Sequence, residues 1–154
     1  MSTRERVSLD PVLAFVADLW AVNHAIERAS KSMEAALGVT AQQRILIRIV
    51  GRHPGISPGQ LAATLSLDAG TISTAIRRLE ARGLFERRRD PRDKRRVSLG
   101  LTAAGRKLDE PRAGTVESAV AAVMQSTSVD ELAHVSSFLQ RLQSGFDDAA
   151  SSWR

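Results

Sequence analysis

The chain has 154 residues, of which 43% are hydrophobic and 25% charged, a length that suits about one domain with a core needing no cross-links. It contains no cysteine, which excludes disulfides, thiolate catalysis, cysteine zinc sites and thiol redox sensing. Its apolar stretches are shorter than the roughly 20 residues that span a bilayer, and its first residues lack the apolar segment of a signal peptide. We therefore expect a soluble, cytoplasmic protein. We also expect no membrane partner, because the arginine run at 87–89 lies on a strand pattern and not beside an amphipathic helix with exposed Trp or Phe.

The formal net charge of +5 is concentrated in one segment of the chain. Between Arg82 and Arg96 lie eight of the 22 basic residues and three of the 17 acidic ones, so the rest of the chain carries fourteen of each sign. A focused positive patch attracts polyanions, chiefly nucleic acid or an anionic membrane surface. A solvated charged hairpin without a partner is the alternative that charge alone leaves open.

The first predicted element is a long helix. Asp10 followed by Pro11 predicts its start, and Gly38 its end. Its apolar residues recur at alternating steps of three and four, the spacing of a coiled-coil seam, at Val12, Phe15, Leu19, Val22, Ile26, Ala29, Met33 and Ala36. Because Val16 and Trp20 add a second apolar edge, we expect the helix to pack on its own domain and on another chain.

Capping signals open the next three helices. Thr40 with Gln43, and Ser57 with Gln60, are capping boxes ahead of a strongly apolar helix and a short helix, respectively. Asp68 caps a fourth helix, which runs to Arg82 and ends at Gly83. One side of this fourth helix is apolar. The small or polar residues on its other side are Gly70, Thr71, Ser73, Thr74 and Arg77.

After Gly83 the spacing of apolar residues changes from helical to alternating. Residues 84–89 and 96–101 are predicted strands, joined by a turn at 90–93. Thr102 caps a further helix, which Pro111 and Gly114 are expected to interrupt. A third capping box, at Ser128, opens the last helix. Its apolar residues form a second seam that is expected to pair with the first, at Leu132, Val135, Leu139, Leu142 and Phe146.

This order of elements predicts a mainly α-helical fold with a small β-hairpin wing, a winged helix-turn-helix with N- and C-terminal dimerisation helices. We expect residues 1–38 to form the N-terminal dimerisation helix and residues 39–102 the DNA-binding domain. Residues 103–154 are expected to form a C-terminal linker and dimerisation helices.

The fourth helix suits the major groove of DNA, which admits one helix whose outward residues are small or polar. The candidate recognition residues are Thr71, Ser73, Thr74 and Arg77. The short helix that begins at Ser57 is expected to direct its N-terminal amides toward a phosphate. The hairpin carries Arg88 and Arg92 to the DNA backbone or to an adjacent minor groove.

Residues 90–105, DPRDKRRVSLGLTAAG, resemble the wing signature of the MarR family of bacterial transcription regulators. The resemblance extends over nearly the whole chain, including Leu61-Ala62, Thr71-Ile72-Ser73 and the run LEARGL at 79–84. It implies that Arg95 enters the minor groove, that Asp93 braces it, and that the four candidate residues occupy recognition positions. Position 74 is often basic in relatives but is Thr here. This difference concerns which bases the protein recognises and not whether it binds DNA.

The resemblance also implies a homodimer, whose first and last helices interlock and hold two recognition helices one DNA turn apart on a pseudo-palindromic operator. On this basis we expect a sequence-specific transcription regulator, a repressor, released from DNA by a small-molecule effector. The alternative is a winged-helix protein of the same shape that organises DNA without sequence preference and without an effector.

One run of residues matches a hydrolase motif. The run Gly55 to Gly59 reads Gly-x-Ser-x-Gly, as in the nucleophile elbow of serine hydrolases. In that elbow the residue after the serine donates its amide to the oxyanion hole, whereas Pro58 follows Ser57 here and has no amide N–H. We therefore expect no enzyme activity and no catalytic residues.

The histidines give two further expectations. His24, His53 and His134 lie in separate segments without a His-x-x-x-His pair, so no metal site and no cofactor is expected. Trp20 and His24 lie one turn apart on the first helix and form a candidate effector pocket. Packing in the core or at the dimer interface is the alternative for this pair.

Overall fold

The structure, a computed structural model, describes residues 7–89 and 96–153. The described residues divide into two compact units, one up to Val116 and one from Glu117 onward. The fold is mainly α-helical with a two-stranded antiparallel hairpin, which confirms the predicted class. The elements are α1 (Pro11–Leu37), α2 (Ala41–Arg52), α3 (Pro58–Leu65), α4 (Ala69–Ala81), β1 (Phe85–Arg89), β2 (Val97–Leu101), α5 (Ala103–Asp109), α6 (Val116–Met124) and α7 (Val129–Ser151).

The helices begin where the capping residues predict. The carboxylate of Asp10 accepts hydrogen bonds from the first turn of α1, and α1 ends at Gly38 in the left-handed region with φ of 72°. The capping boxes at Thr40, Ser57 and Ser128 each form both reciprocal hydrogen bonds. The predicted interruption near Pro111 and Gly114 is also present, because α5 ends at Asp109 and α6 begins at Val116.

The core of the first unit lies between α2, α3, α4 and the hairpin. Its buried apolar residues are Val39, Leu46, Ile47, Val50, Ile56, Leu61, Ala62, Ile72, Ile76, Leu79, Leu84, Phe85, Leu99 and Leu101. Full burial of a Val, Leu, Ile or Phe side chain stabilises the fold by about 1.5–3 kcal/mol. Because α4 buries Ile72, Ile76 and Leu79, its opposite face is turned away from the core.

Thr102 closes the base of the hairpin. Its hydroxyl donates to the carbonyl of Gly83 at 2.6 Å and accepts from the amide of Gly105 at 3.1 Å. The amide of Thr102 donates to the carbonyl of Leu84 at 3.1 Å. Gly105 lies so close to Leu84 that an added Cβ would overlap the carbonyl oxygen of Leu84. This junction fixes the end of α4, both ends of the hairpin and the start of α5 together.

Arg44 is a buried charge that the apolar pattern of α2 did not predict. Only 1% of its surface is exposed. Its guanidinium donates to the carbonyls of Leu108 at 2.5 Å and Glu110 at 2.9 Å. Beside it, Arg48 pairs with Asp109 at 2.7 Å. Since the last carbonyls of a helix have no partner within that helix, Arg44 satisfies the end of α5 and holds it on α2.

Much of the apolar surface of α1 is exposed in the single chain. Near its C-terminal end, Met33 is buried and Ser30 Oγ accepts from the amide of Ala41 at 2.9 Å, which docks α1 on α2. Toward its N-terminus, Val12 is 71% exposed, Trp20 68% and Val22 58%. Within 7–89 and 96–153, no helix is long and apolar enough to cross a bilayer.

The second unit also exposes an apolar seam. None of the residues of α7, all of which are described, is buried. Val135, Leu139 and Phe146 are each about half exposed. An apolar stripe of this kind is typical of a surface that another chain covers.

The close approach at the hairpin base predicts a loss of stability in Gly105→Ala. The new methyl group overlaps backbone that the Thr102 hydrogen bonds hold in place, and such overpacking costs about 1–3 kcal/mol. Urea unfolding at matched protein concentration measures the free energy of unfolding. Gly59→Ala, in the first turn of α3, is the control, since nothing lies within 4 Å of the added Cβ. Equal stability of the two variants would contradict the prediction.

Candidate nucleic-acid interface

The face of α4 opposite the core carries the predicted recognition residues. Thr71, Ser73 and Arg77 are exposed, and Thr74 is half-buried. Arg77 Nη2 lies 3.4 Å from Thr74 Oγ1, to which it donates. The structure thus brings the four predicted side chains onto the outward part of one 13-residue helix, with small or hydroxyl groups that leave room for a close approach.

Asp68 and Thr71 form a paired contact at the N-terminus of α4. The amide of Thr71 donates to Asp68 Oδ1 at 2.8 Å, and its hydroxyl donates to Asp68 Oδ2 at 2.5 Å. The side-chain hydrogen bond from Thr71, followed by the backbone one, lowers the pKa of Asp68. This exposed carboxyl is therefore ionised at neutral pH. The contribution of these hydrogen bonds to the stability of the fold is lost only as the pH falls through the lowered pKa of Asp68.

Two arginines of the basic segment hold the hairpin and α4 in position. Arg87 Nε on β1 donates to Glu80 Oε1 on α4 at 2.8 Å. The guanidinium of Arg82 donates to the carbonyl of Gly38 and, at 2.9 Å, to Gln43 Oε1. These side chains are anchored within the protein, so the segment offers fewer free cations than its sequence count suggests.

A groove between the start of α3 and the hairpin is lined by cationic side chains, Arg87 among them. It has a volume of about 970 Å³, and its lining includes Ser57, Gly59, Arg88, Arg89 and Arg96. The structure therefore brings the predicted residues Ser57 and Arg88 to one place. Arg88 Nη2 donates to Glu86 Oε1 at 2.5 Å while its side chain stays 74% exposed. Positive side chains beside a helix N-terminus make this groove suited to an anionic group.

The capping box at the start of α3 determines which amides can face that groove. Ser57 Oγ accepts from the amide of Gln60 at 3.2 Å, and the amide of Ser57 donates to Gln60 Oε1 at 2.9 Å. Gly59, in the first turn, has an amide without an acceptor inside the helix. The predicted phosphate contact of this helix therefore falls most directly on the amide of Gly59 and on the hydroxyl proton of Ser57.

Among the described residues, the candidate effector-pocket pair is the part of the predicted site that the structure does not enclose. Arg92, Asp93 and Arg95 lie outside the described residues. Trp20 and His24 are exposed on α1, where His24 Nδ1 lies 3.3 Å from Glu27 Oε2, and the effector pocket stays a prediction. Among the residues that the structure describes, no group of three His, Asp or Glu side chains is arranged to hold a metal ion.

Comparison with known proteins identifies the family. A sequence model of the MarR family matches residues 37–96. The regulator BilQ of Clostridium symbiosum is 30% identical over 105 residues, which cover 68% of this chain and 73% of BilQ. The chain belongs to the MarR family.

Other members of the MarR family give the same picture. The regulator TtmR of Methylorubrum extorquens is 38% identical over 101 residues, which are 66% of this chain and 51% of TtmR, so the match spans about half of that protein. A mutant MarR from E. coli, solved in complex with operator DNA, is 25% identical, with a TM-score of 0.65 over 85% of this chain and 94% of that one. The resemblance seen in the wing signature is confirmed.

The segment that matches the MarR family contains the interface built above. Residues 37–96 include α2, α3, α4 and β1, and thus the predicted contacts from Ser57 to Arg88. Sequence reasoning missed Glu80 as the partner of Arg87, and Asp68 as the partner of the Thr71 hydroxyl. The box-like spacing of Asp68 and Thr71 was the available signal for the second pair, whereas no local spacing rule links Glu80 to Arg87.

Proposed function

We propose that this protein is a sequence-specific DNA-binding transcription regulator that binds pseudo-palindromic operators as a homodimer. The observation that carries the proposal is the outward face of α4, with its small and hydroxyl-bearing residues beside a cationic hairpin. BilQ and TtmR are named HTH-type transcriptional regulators, and E. coli MarR has been solved in complex with operator DNA, which supports the proposal. A dimer seated on an operator excludes other proteins from that DNA, so repression is the expected outcome.

In this proposal α4 enters the major groove, where Thr71, Ser73, Thr74 and Arg77 contact bases and nearby phosphates. The groove at Ser57 and Arg88 receives a backbone phosphate. At the wing tip Arg92 contacts the backbone, and Arg95, braced by Asp93, reaches into the minor groove.

The homodimer is proposed from the exposed seams of α1 and α7, which are each apolar and uncovered in the single chain. We assign residues 1–38 and 103–154 to dimerisation and linkage, and residues 39–102 to DNA binding. A small-molecule effector bound near Trp20 and His24 would release the DNA. The protein acts in the cytoplasm, where bacterial DNA lies, without catalysis and without a cofactor.

Selection from random double-stranded DNA tests the proposal. We expect a short motif with two-fold symmetry. Arg77→Ala should then reduce discrimination between the selected operator and a scrambled one by about tenfold, the effect of losing a base contact. Arg112→Ala, which removes an exposed charge outside α4 and the hairpin, is the control and should leave the discrimination unchanged. Binding without any enriched motif would instead favour a protein that organises DNA without sequence preference.

The proposed role of the wing is tested by the salt dependence of binding. Arg95→Ala should weaken binding to every sequence and lower the slope of log affinity against log salt concentration by about 1, because the arginine in the minor groove no longer releases a counterion from the DNA. Titrations of labelled duplex at several salt concentrations measure both quantities. Unchanged affinity together with an unchanged slope would remove the wing from the mechanism.

A further inference from the structure

The hydroxyl of Thr71 has a fixed hydrogen-bonding direction. A threonine hydroxyl ordinarily both donates and accepts, and rotates to suit its partner. Here Thr71 Oγ1 lies 2.5 Å from Asp68 Oδ2, and both side chains are exposed at the start of α4. An ionised carboxylate has no proton to give, so the proton of this contact belongs to Thr71. Toward a ligand, Thr71 Oγ1 can therefore use its lone pairs, which accept hydrogen bonds.

The carboxylate beside it has the same character. Asp68 accepts two hydrogen bonds from Thr71, one at each oxygen, and its other lone pairs are acceptors as well. The N-terminus of the proposed recognition helix therefore presents a pair of side chains that accept hydrogen bonds and donate none. The pair also carries one negative charge.

Helix capping alone does not account for this pair. The cap requires one carboxylate oxygen and the amide of Thr71, and that bond, to Asp68 Oδ1, forms independently of the side chain at position 71. The hydroxyl uses the second oxygen, Oδ2. A nonpolar residue at position 71 would leave the cap intact, so the hydroxyl contact is open to a separate role.

We propose that Asp68 and Thr71 together determine specificity by selecting an amino base over a keto base at one position of each operator half-site. The inference rests on the proposed function, in which the N-terminal residues of α4 contact base edges in the major groove. There adenine N6 and cytosine N4 are donors, with adenine N7 an acceptor beside N6, whereas guanine presents O6 and N7 and thymine presents O4, all acceptors. An acceptor-only pair binds the first two bases and repels the last two.

The experiment is selection from random DNA with the wild type, Thr71→Val and Asp68→Asn in parallel. The wild type should select A or C at one position of each half-site. Thr71→Val keeps the shape and the cap but removes the hydroxyl, and should reduce the preference for amino bases at that position by about fivefold, the effect of one hydrogen bond. The other positions of the motif should stay as they are.

Asp68→Asn reverses the direction of the contact. Asparagine also caps helices well, and its Nδ2 can donate to Thr71 Oγ1, which frees the Thr71 proton for the groove. The preference at the same position should then move toward G or T. Thr71→Ser keeps a hydroxyl in the same place and should keep the wild-type preference. Thermal melts followed by circular dichroism establish that each variant is folded.

Three results would overturn the inference. The motif of Thr71→Val could match that of the wild type at every position, the position that relaxes could hold G or T in the wild type, or Asp68→Asn could leave the preference unmoved. Each of these leaves a wild-type motif in place and thus leaves the proposed function standing. A wild type that selects no motif overturns the proposed function itself, and the inference with it.

Discussion

The hydroxyl of Thr102 joins three elements at one point, and the placement of the hairpin against α4 depends on that junction. It ties the carbonyl of Gly83, after α4, to the amide of Gly105, in α5, while the two strands of the hairpin start and end beside it. The ion pair of Glu80 and Arg87 adds a second tie between α4 and β1. On the proposed function, the arginines of β1 are thereby held in place before DNA binds, which lowers the entropy lost on binding.

Charge and specificity act against each other at this surface. On the proposed function, the basic segment supplies a general attraction to DNA, although Arg82 and Arg87 are engaged within the protein. Asp68 places a negative charge at the start of α4, where a cation would bind DNA more tightly. On the proposed function, the carboxylate lowers the affinity for DNA of any sequence and raises the discrimination between bases. It does so because it accepts the Thr71 proton and leaves Thr71 Oγ1 as a hydrogen-bond acceptor toward the groove.

The sequence predicted those parts of the fold that are encoded over a few residues. Caps such as Asp10 and Ser128 act on amides two or three positions away, and the alternation after Gly83 marks the strands directly. Contacts between distant segments were not predictable in this way. Arg44 reaches the carbonyl of Glu110, 66 positions further on. Pro111 predicted a break in the helix at this point, but only the assembled fold shows that α5 ends beside Arg44 of α2. The pairing of Arg87 with Glu80 was not predictable for the same reason, since this ion pair depends on how the hairpin lies against α4.

Amide hydrogen exchange in Thr102→Val tests most directly whether this junction holds the hairpin. Exchange of the β1 and β2 amides should become faster than in the wild type, while the amides of α2 keep their protection. Thr127→Val, which removes the hydroxyl bond to the carbonyl of Val123 in the other unit, should leave the hairpin unchanged. Hairpin amides that exchange in Thr102→Val at the wild-type rate would contradict the account.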